Sequence, residues 1–391
     1  MRFISSLAII ALLVKESLAS PAGTFDLALE SNVALGRRLI QTSEDQPPFW
    51  ITENEKLNFL KRRTDFLGAL LTDAIPKFDL TESYQREQLL KSSSAKAKLT
   101  VTYPAPSHQT EVKRLIPLLS IVNMESYLSN LISFQNRYYK SEYGLAASNY
   151  IYDTLSGLAH GKEGVYVTKV SHSFIQHSII AQIAGSSNAS SIVILGAHED
   201  SILPKDRMNG RSPGADDNGT GVMNVMEVFR VLVESRFKPT RTVEFHFYAG
   251  EEEGLFGSQA IALDYRAMGK SVYGMLNLDM TGYFKPGTEE SIALVTDYTD
   301  LPLTTYVETL INTYSGIPAS TYLCGYACSD HASWHRNGFP AACPFEAPNG
   351  NSNENLHTTQ DTTSVDGFSF EHSLEFAKLA LTFVVELGLK G

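Results

Sequence analysis

Residues 191–200 read SIVILGAHED, an apolar run rich in β-branched residues that is cut off by His198, Glu199 and Asp200. Its length is that of a strand, and the absence of polar alternation marks a strand buried on both faces. His198 follows the run directly and so projects at the strand's carboxyl end. A second run, RTVEFHFYA at 241–249, repeats the arrangement and opens into GEEEG, which places Glu251 and Glu252 just beyond it. VYGMLNLDM (272–280), with Asp279 near its end, and SIALVTDY (291–298) read as further strands. Between the first two lies GVMNVMEVFRVLVES, with Val222, Val225, Met226, Phe229 and Val233 on one helical face. Strands alternating with helices of this length predict an α/β fold: a mixed, largely parallel central sheet covered by helices on both faces. Residues 112–135 are predicted to form one amphipathic helix, with Leu115, Leu118, Leu119, Val122, Leu128 and Ile132 at helical spacing.

Open α/β sheets bind ligands outside the carboxyl ends of their strands. His198, the pair Glu251 and Glu252, and Asp279 arrive at that edge from three separate segments. Asp216 and Asp217 lie in a Gly-rich loop, SPGADDNGTG, just before the helix at 220–235, and His357 lies in the polar loop ENLHTTQD. Taken singly, each has an ordinary explanation: a structural histidine, a solvated Glu pair, an Asp-containing turn. Together they supply two imidazoles and several carboxylates, enough hard and borderline donors for two divalent cations sharing a bridge. Glu253, third in its run, is expected to face solvent. His246, in the middle of a strand, is expected in the core, and His331 and His335 in SDHASWH are read as structural.

The chain has 391 residues, 43% of them hydrophobic, enough for a substantial core, and its formal charge of −11 argues against a nucleic-acid partner. No apolar run reaches the ~18–20 residues that span a bilayer. Arg2, the apolar stretch from Phe3 to Val14 and the small-residue sequence Ser17-Leu18-Ala19 together read as a secretory signal over 1–19. Residues 20–90 differ from the rest. Thr52 with Glu55 three later makes a capping box before the charged helical pattern ENEKLNFLKRRTDF, and the linker-like SSSAKAK follows the segment's end. This predicts a helical prosegment over 20–90 and a catalytic domain over 91–391. Secretion places Cys324 and Cys328 in an oxidising compartment, where a short-loop disulfide between them is expected. Cys343 is read as a buried thiol. Asn188, in NAS, is a candidate glycan site; Asn218, in NGT, also fits the pattern but adjoins Asp217 and is expected to stay bare.

GADD-x-x-x-G, YA-x-EE-x-GL-x-GS, LDMT, CGY-x-CSDHASWH and HTTQD occur in that order. With these motifs the chain from about residue 100 to 385 resembles the secreted zinc aminopeptidases of peptidase family M28, in particular the fungal leucine aminopeptidase precursors. The resemblance implies a zinc-peptidase/phosphorylase-like fold and two zinc ions. Asp217 would bridge them, His198 and Asp279 would complete one position, and Glu252 and His357 the other. It further implies Glu251 as general base, Asp200 as the carboxylate orienting His198, Tyr326 near the substrate carbonyl, and a cis peptide between Asp217 and Asn218. The side-chain pocket would be lined by Met280, the Cys324–Cys328 loop, Phe345 and Leu356. The loop EAPNGNSNENL between Phe345 and His357 has no aromatic residue, unlike the bacterial members of the family. The expected activity is removal of leucine or other apolar residues from peptide and protein N-termini by an extracellular monomer, with its own prosegment as inhibitor or folding aid. The alternatives are a carboxypeptidase or glutaminyl cyclase of related fold, or a non-catalytic secreted binding protein. A decayed binding protein would have lost ligands, and none is missing.

Overall fold

A computed structural model describes residues 31–41, 47–53, 55–56, 78–81 and 101–390. The expected signal at 1–19, most of the helix after Thr52 and the linker near Ser92 lie outside the described residues.

Near the N-terminus, β1 (Arg37–Gln41), β2 (Phe49–Thr52) and β3 (Phe78–Asp79) form a small antiparallel sheet in the order β2-β1-β3. These strands lie in a segment expected to be helical. The capping box is formed: Thr52 N–H donates to Glu55 Oε2 at 2.7 Å, and Glu55 N–H donates to Thr52 Oγ1 at 3.2 Å.

The main sheet follows. Its strands β4 (Val165–Val170), β5 (Ser178–Ile183), β6 (Asn188–His198), β7 (Arg241–Tyr248) and β8 (Ser271–Asn277) are joined at one edge by a later two-residue strand, Ala341–Ala342. In space Ala341–Ala342 lies beside β8, followed by β6, β7, β5 and β4. The edge strand, β8, β6 and β7 run parallel, whereas β5 pairs antiparallel with β7 and β4 antiparallel with β5. The mixed, largely parallel sheet is thus as predicted. Every residue of β7 is buried, Glu244 and His246 included. Val193, Leu195 and Ala197 of β6 and Val243, Phe245 and Phe247 of β7 share one core with the helices Gly221–Glu234 and Phe370–Gly388. Ile192, Ile194 and Tyr248 face the other core, with Ile261 and Tyr265 of helix Phe256–Ala267 and with Trp334. His246 projects there too, fully buried, 3.0 Å from Glu244 and edge-on to Trp334, the core role expected for it.

The helix expected over 112–135 is two helices. Gln109–Leu115 runs into a short turn, Ile116–Leu118, and a second helix spans Ile121–Ser133 at 61° to the first. Pro117 opens the turn, and the Ser120 side chain caps the second helix by accepting the Asn123 N–H at 3.3 Å. Leu118 and Val122, assigned to the buried stripe, are exposed as a result. Among the described residues no single helix is long and apolar enough to cross a membrane. Asn188, the candidate glycan site, is the first residue of β6 and half-buried.

Candidate metal centre

Because β8, β6 and β7 are adjacent and parallel, their carboxyl ends open side by side. β6 ends on His198; the chain turns at Gly250 (φ 70°) after β7 to present Glu251 and Glu252; Asp279 follows β8 by two residues. Loop 214–220 approaches from above. Gly214 has φ 54°, and a Cβ there would meet the Asp217 carbonyl at 2.5 Å, so the turn requires glycine. The Asp217–Asn218 peptide is cis, as expected. Asn218 is fully buried: its side chain donates to the Leu278 carbonyl at 2.9 Å and accepts from the N–H groups of Gly221 and Met280 at 3.0 and 3.2 Å. These bonds fasten the loop to the end of β8 and leave no room for a glycan on Asn218.

The five side chains expected to bind zinc meet in two clusters. His198 Nε2 lies 3.2 Å from Asp217 Oδ1 and 3.4 Å from Asp279 Oδ1. His357 Nε2 lies 3.0 Å from Asp217 Oδ2 and 2.8 Å from Glu252 Oε2. In each cluster the donor atoms lie within 4.8 Å of one another. Asp217 belongs to both, presenting one oxygen to each, which is the geometry of a bridging carboxylate. Met280 and His357 both adopt left-handed backbone, at φ 52° and 57°. Such conformations in non-glycine residues concentrate at functional sites.

The electrostatics call for cations. Burial disfavours a charged imidazole at His357, yet the Glu252 and Asp217 carboxylates outweigh it and push the group up to about 10. His198 is likewise raised against its burial, chiefly by Asp279 and Glu251. Burial, with Asp217 alongside, pushes Glu252 up to about 7. Burial also drives Glu251 far above the ordinary carboxyl range; His198 opposes this, while Glu252 and Asp279 add to it. Ionised, Asp217, Glu251, Glu252 and Asp279 carry four negative charges, which two divalent cations would balance. The donor set of imidazole and carboxylate suits zinc.

Asp200 acts on both sides of the site. It lies 3.5 Å from His198 Nδ1, and its two oxygens accept the N–H groups of Glu251 and Glu252 at 2.9 and 3.2 Å. A cavity of about 220 Å³ opens onto the clusters. Glu251, Tyr326, Met280, Cys324, Cys328, Phe345 and Leu356 all line it, as expected, together with Val295, Tyr322 and Cys343. The Cys324–Cys328 disulfide is formed, with Cα atoms 6.1 Å apart, and Cys343 is a buried free thiol.

Several participants were not foreseen. Asp361, quoted in HTTQD but given no role, is buried against the Asp217 loop. Arg137 is fully buried and spends its guanidinium on the carbonyls of Glu199, Pro213 and Gly214. Ser352 and Glu354 add polar groups to the cavity wall.

Glu253 is buried, not solvated. It sits 2.5 Å from Arg207 Nε and 3.7 Å from Lys56 Nζ, and Lys56 in turn pairs with Asp79 at 2.8 Å. The N-terminal sheet therefore docks on the turn that carries Glu251 and Glu252. Glu253→Gln is expected to cost about 3 kcal/mol, the low end for a broken buried pair, because Arg207 is 15% exposed and Lys56 keeps Asp79. A denaturant midpoint equal to wild type would refute this.

Residues 178–381 match the model of peptidase family M28. The chain is 42% identical over 351 residues to leucine aminopeptidase 1 of Arthroderma otae, covering 86% of this chain and 89% of that protein. It is 40% identical over 367 residues to leucine aminopeptidase 1 of Coccidioides posadasii, covering 89% and 88%. The crystal structure of the LapA aminopeptidase of Legionella pneumophila superposes with a TM-score of 0.77 at 26% identity, covering 93% of this chain and 96% of LapA. Sequence, fold and the paired donor clusters converge: the chain belongs to peptidase family M28.

Proposed function

We propose that this chain is a secreted exopeptidase that uses two zinc ions to remove N-terminal residues, preferably leucine or other apolar ones, from peptides and proteins. It is a zinc-dependent aminopeptidase, and the observation that carries the two-ion reading is the sharing of Asp217 between two complete donor clusters. His198 and Asp279 would hold one ion, Glu252 and His357 the other, and Asp217 would contact both. When bound, the zinc pair acidifies water and polarises the scissile carbonyl.

Glu251 takes the proton of the attacking water and passes it to the leaving amine. Its carboxylate lines the cavity and makes no hydrogen bond or ion pair among the described residues, so it is free to exchange a proton. Asp200 fixes the imidazole of His198 and the backbone of the Glu251–Glu252 turn together, so that base and ligand keep register. Tyr326 offers a phenol to the substrate carbonyl from the disulfide loop. The substrate side chain rests against Met280, Phe345, Leu356 and the disulfide loop; Ser352 and Glu354 make the outer wall polar, which moderates the preference for leucine. The signal at 1–19, the prosegment at 20–90 as inhibitor or folding aid, a catalytic domain at 91–391, a monomeric state and a glycan on Asn188 complete the reading.

The test is an assay of the zinc-loaded protein on aminoacyl amides. Leucine amide should be cleaved at least about tenfold more efficiently than alanine amide, and N-acetyl-leucine amide should not be cleaved. Equal cleavage of the acetylated substrate would make the enzyme something other than an aminopeptidase. Cyclisation of N-terminal glutamine without hydrolysis would favour the cyclase alternative.

A further inference from the structure

Asp217 is held from three directions, and each tie runs to the neighbourhood of a different partner. Arg137 bonds the Glu199 carbonyl, next to His198, and the carbonyls of Pro213 and Gly214, at the start of the Asp217 loop. The Asp216 carboxylate accepts the Gly282 N–H at 2.9 Å and so links the loop to the segment after Asp279. The third tie is Asp361. Its Oδ1 accepts the Asp216 N–H and its Oδ2 the Asp217 N–H, both at 3.0 Å, while its own carbonyl accepts the Ala215 N–H at 3.2 Å. Three consecutive amides of the loop thus end on one residue, four positions after His357.

We propose that Asp361 is a positioning residue that sets the distance between Asp217 and His357, and so controls the cation position these two share with Glu252. The claim rests on the two-zinc reading above. Each of the two Asp361 oxygens accepts one amide, so the side chain needs an acceptor on both sides. Asparagine cannot supply both: its oxygen accepts one amide, while its NH2 would face the other donor. The His357 loop keeps a second, looser anchor, from Asn353 Nδ2 to Asp216 Oδ2 at 3.1 Å. The variant therefore retains a route to the native loop while losing its exact spacing. Arg137 bonds the carbonyls of Glu199, Pro213 and Gly214, and the Asp216–Gly282 bond runs to the segment after Asp279; neither bond passes through Asp361, so the position formed with His198 and Asp279 keeps these supports.

The test titrates the full chain, stripped of metal, with zinc against a chromophoric chelator and reads both binding constants. For Asp361→Asn, one constant should weaken about ten- to a hundredfold while the other stays within about threefold. Equal weakening of both, or of neither, overturns the proposal, because a merely structural residue would not separate them. If Asp361→Asn does not fold, Asp361→Glu decides: it keeps the charge but shifts the loop, and unequal weakening is again expected, with unchanged constants overturning the claim. A wild-type chain with a single zinc constant would instead refute the two-zinc reading. The Asp361 proposal would then stand only if that one constant weakened by the same factor in Asp361→Asn.

Discussion

Replacing Glu251 with Gln is expected to lower turnover by about 10²–10⁴-fold, the range for a lost general base, while both zinc ions remain bound. Glutamine keeps the volume and the backbone N–H that donates to Asp200 at 2.9 Å, so the turn should survive. Only the proton acceptor goes. Glu252, one residue on, should respond differently: its Oε2 lies 2.8 Å from His357 Nε2, so Glu252→Gln should strip metal from that position. Metal analysis beside steady-state kinetics checks both. A Glu251→Gln enzyme that lost zinc, or a Glu252→Gln enzyme that kept it, would reverse the roles assigned within the pair.

Asp217→Ala should be more damaging still, because one carboxylate serves two positions. Its removal leaves His198 with Asp279 and His357 with Glu252, two donors on each side where three stood. Both ions should bind far more weakly, and losing several kcal/mol of transition-state stabilisation corresponds to about 10³-fold or more in turnover. A variant that retained two tightly bound ions would remove Asp217 from the bridge.

The central strand β6 was legible because burial on both faces writes itself as an unbroken apolar run, and residues 192–198 are indeed buried. The clustering of the candidate donors was legible for a related reason: a histidine or acid directly after such a run has only the sheet's open edge to occupy. The break at Pro117 is masked in the sequence because apolar spacing continues on both sides of it, so two short helices share the periodicity of one. Glu253 and Asp361 escaped for a different reason. Their surroundings come from distant segments: Lys56 and Arg207 for Glu253, and the 215–217 amides, some 145 positions away, for Asp361. No local pattern encodes such a meeting. Arg137 adds a further lesson, since a cation near an acidic site need not bind substrate: this one is consumed by three carbonyls.

The most direct test of the shared-carboxylate centre is anomalous diffraction at the zinc edge from crystals of the metal-loaded chain. Two peaks about 3.5–4 Å apart should flank the Asp217 carboxylate, one beside His198 and Asp279, the other beside Glu252 and His357. A single peak, or a second peak away from Glu252 and His357, would contradict it.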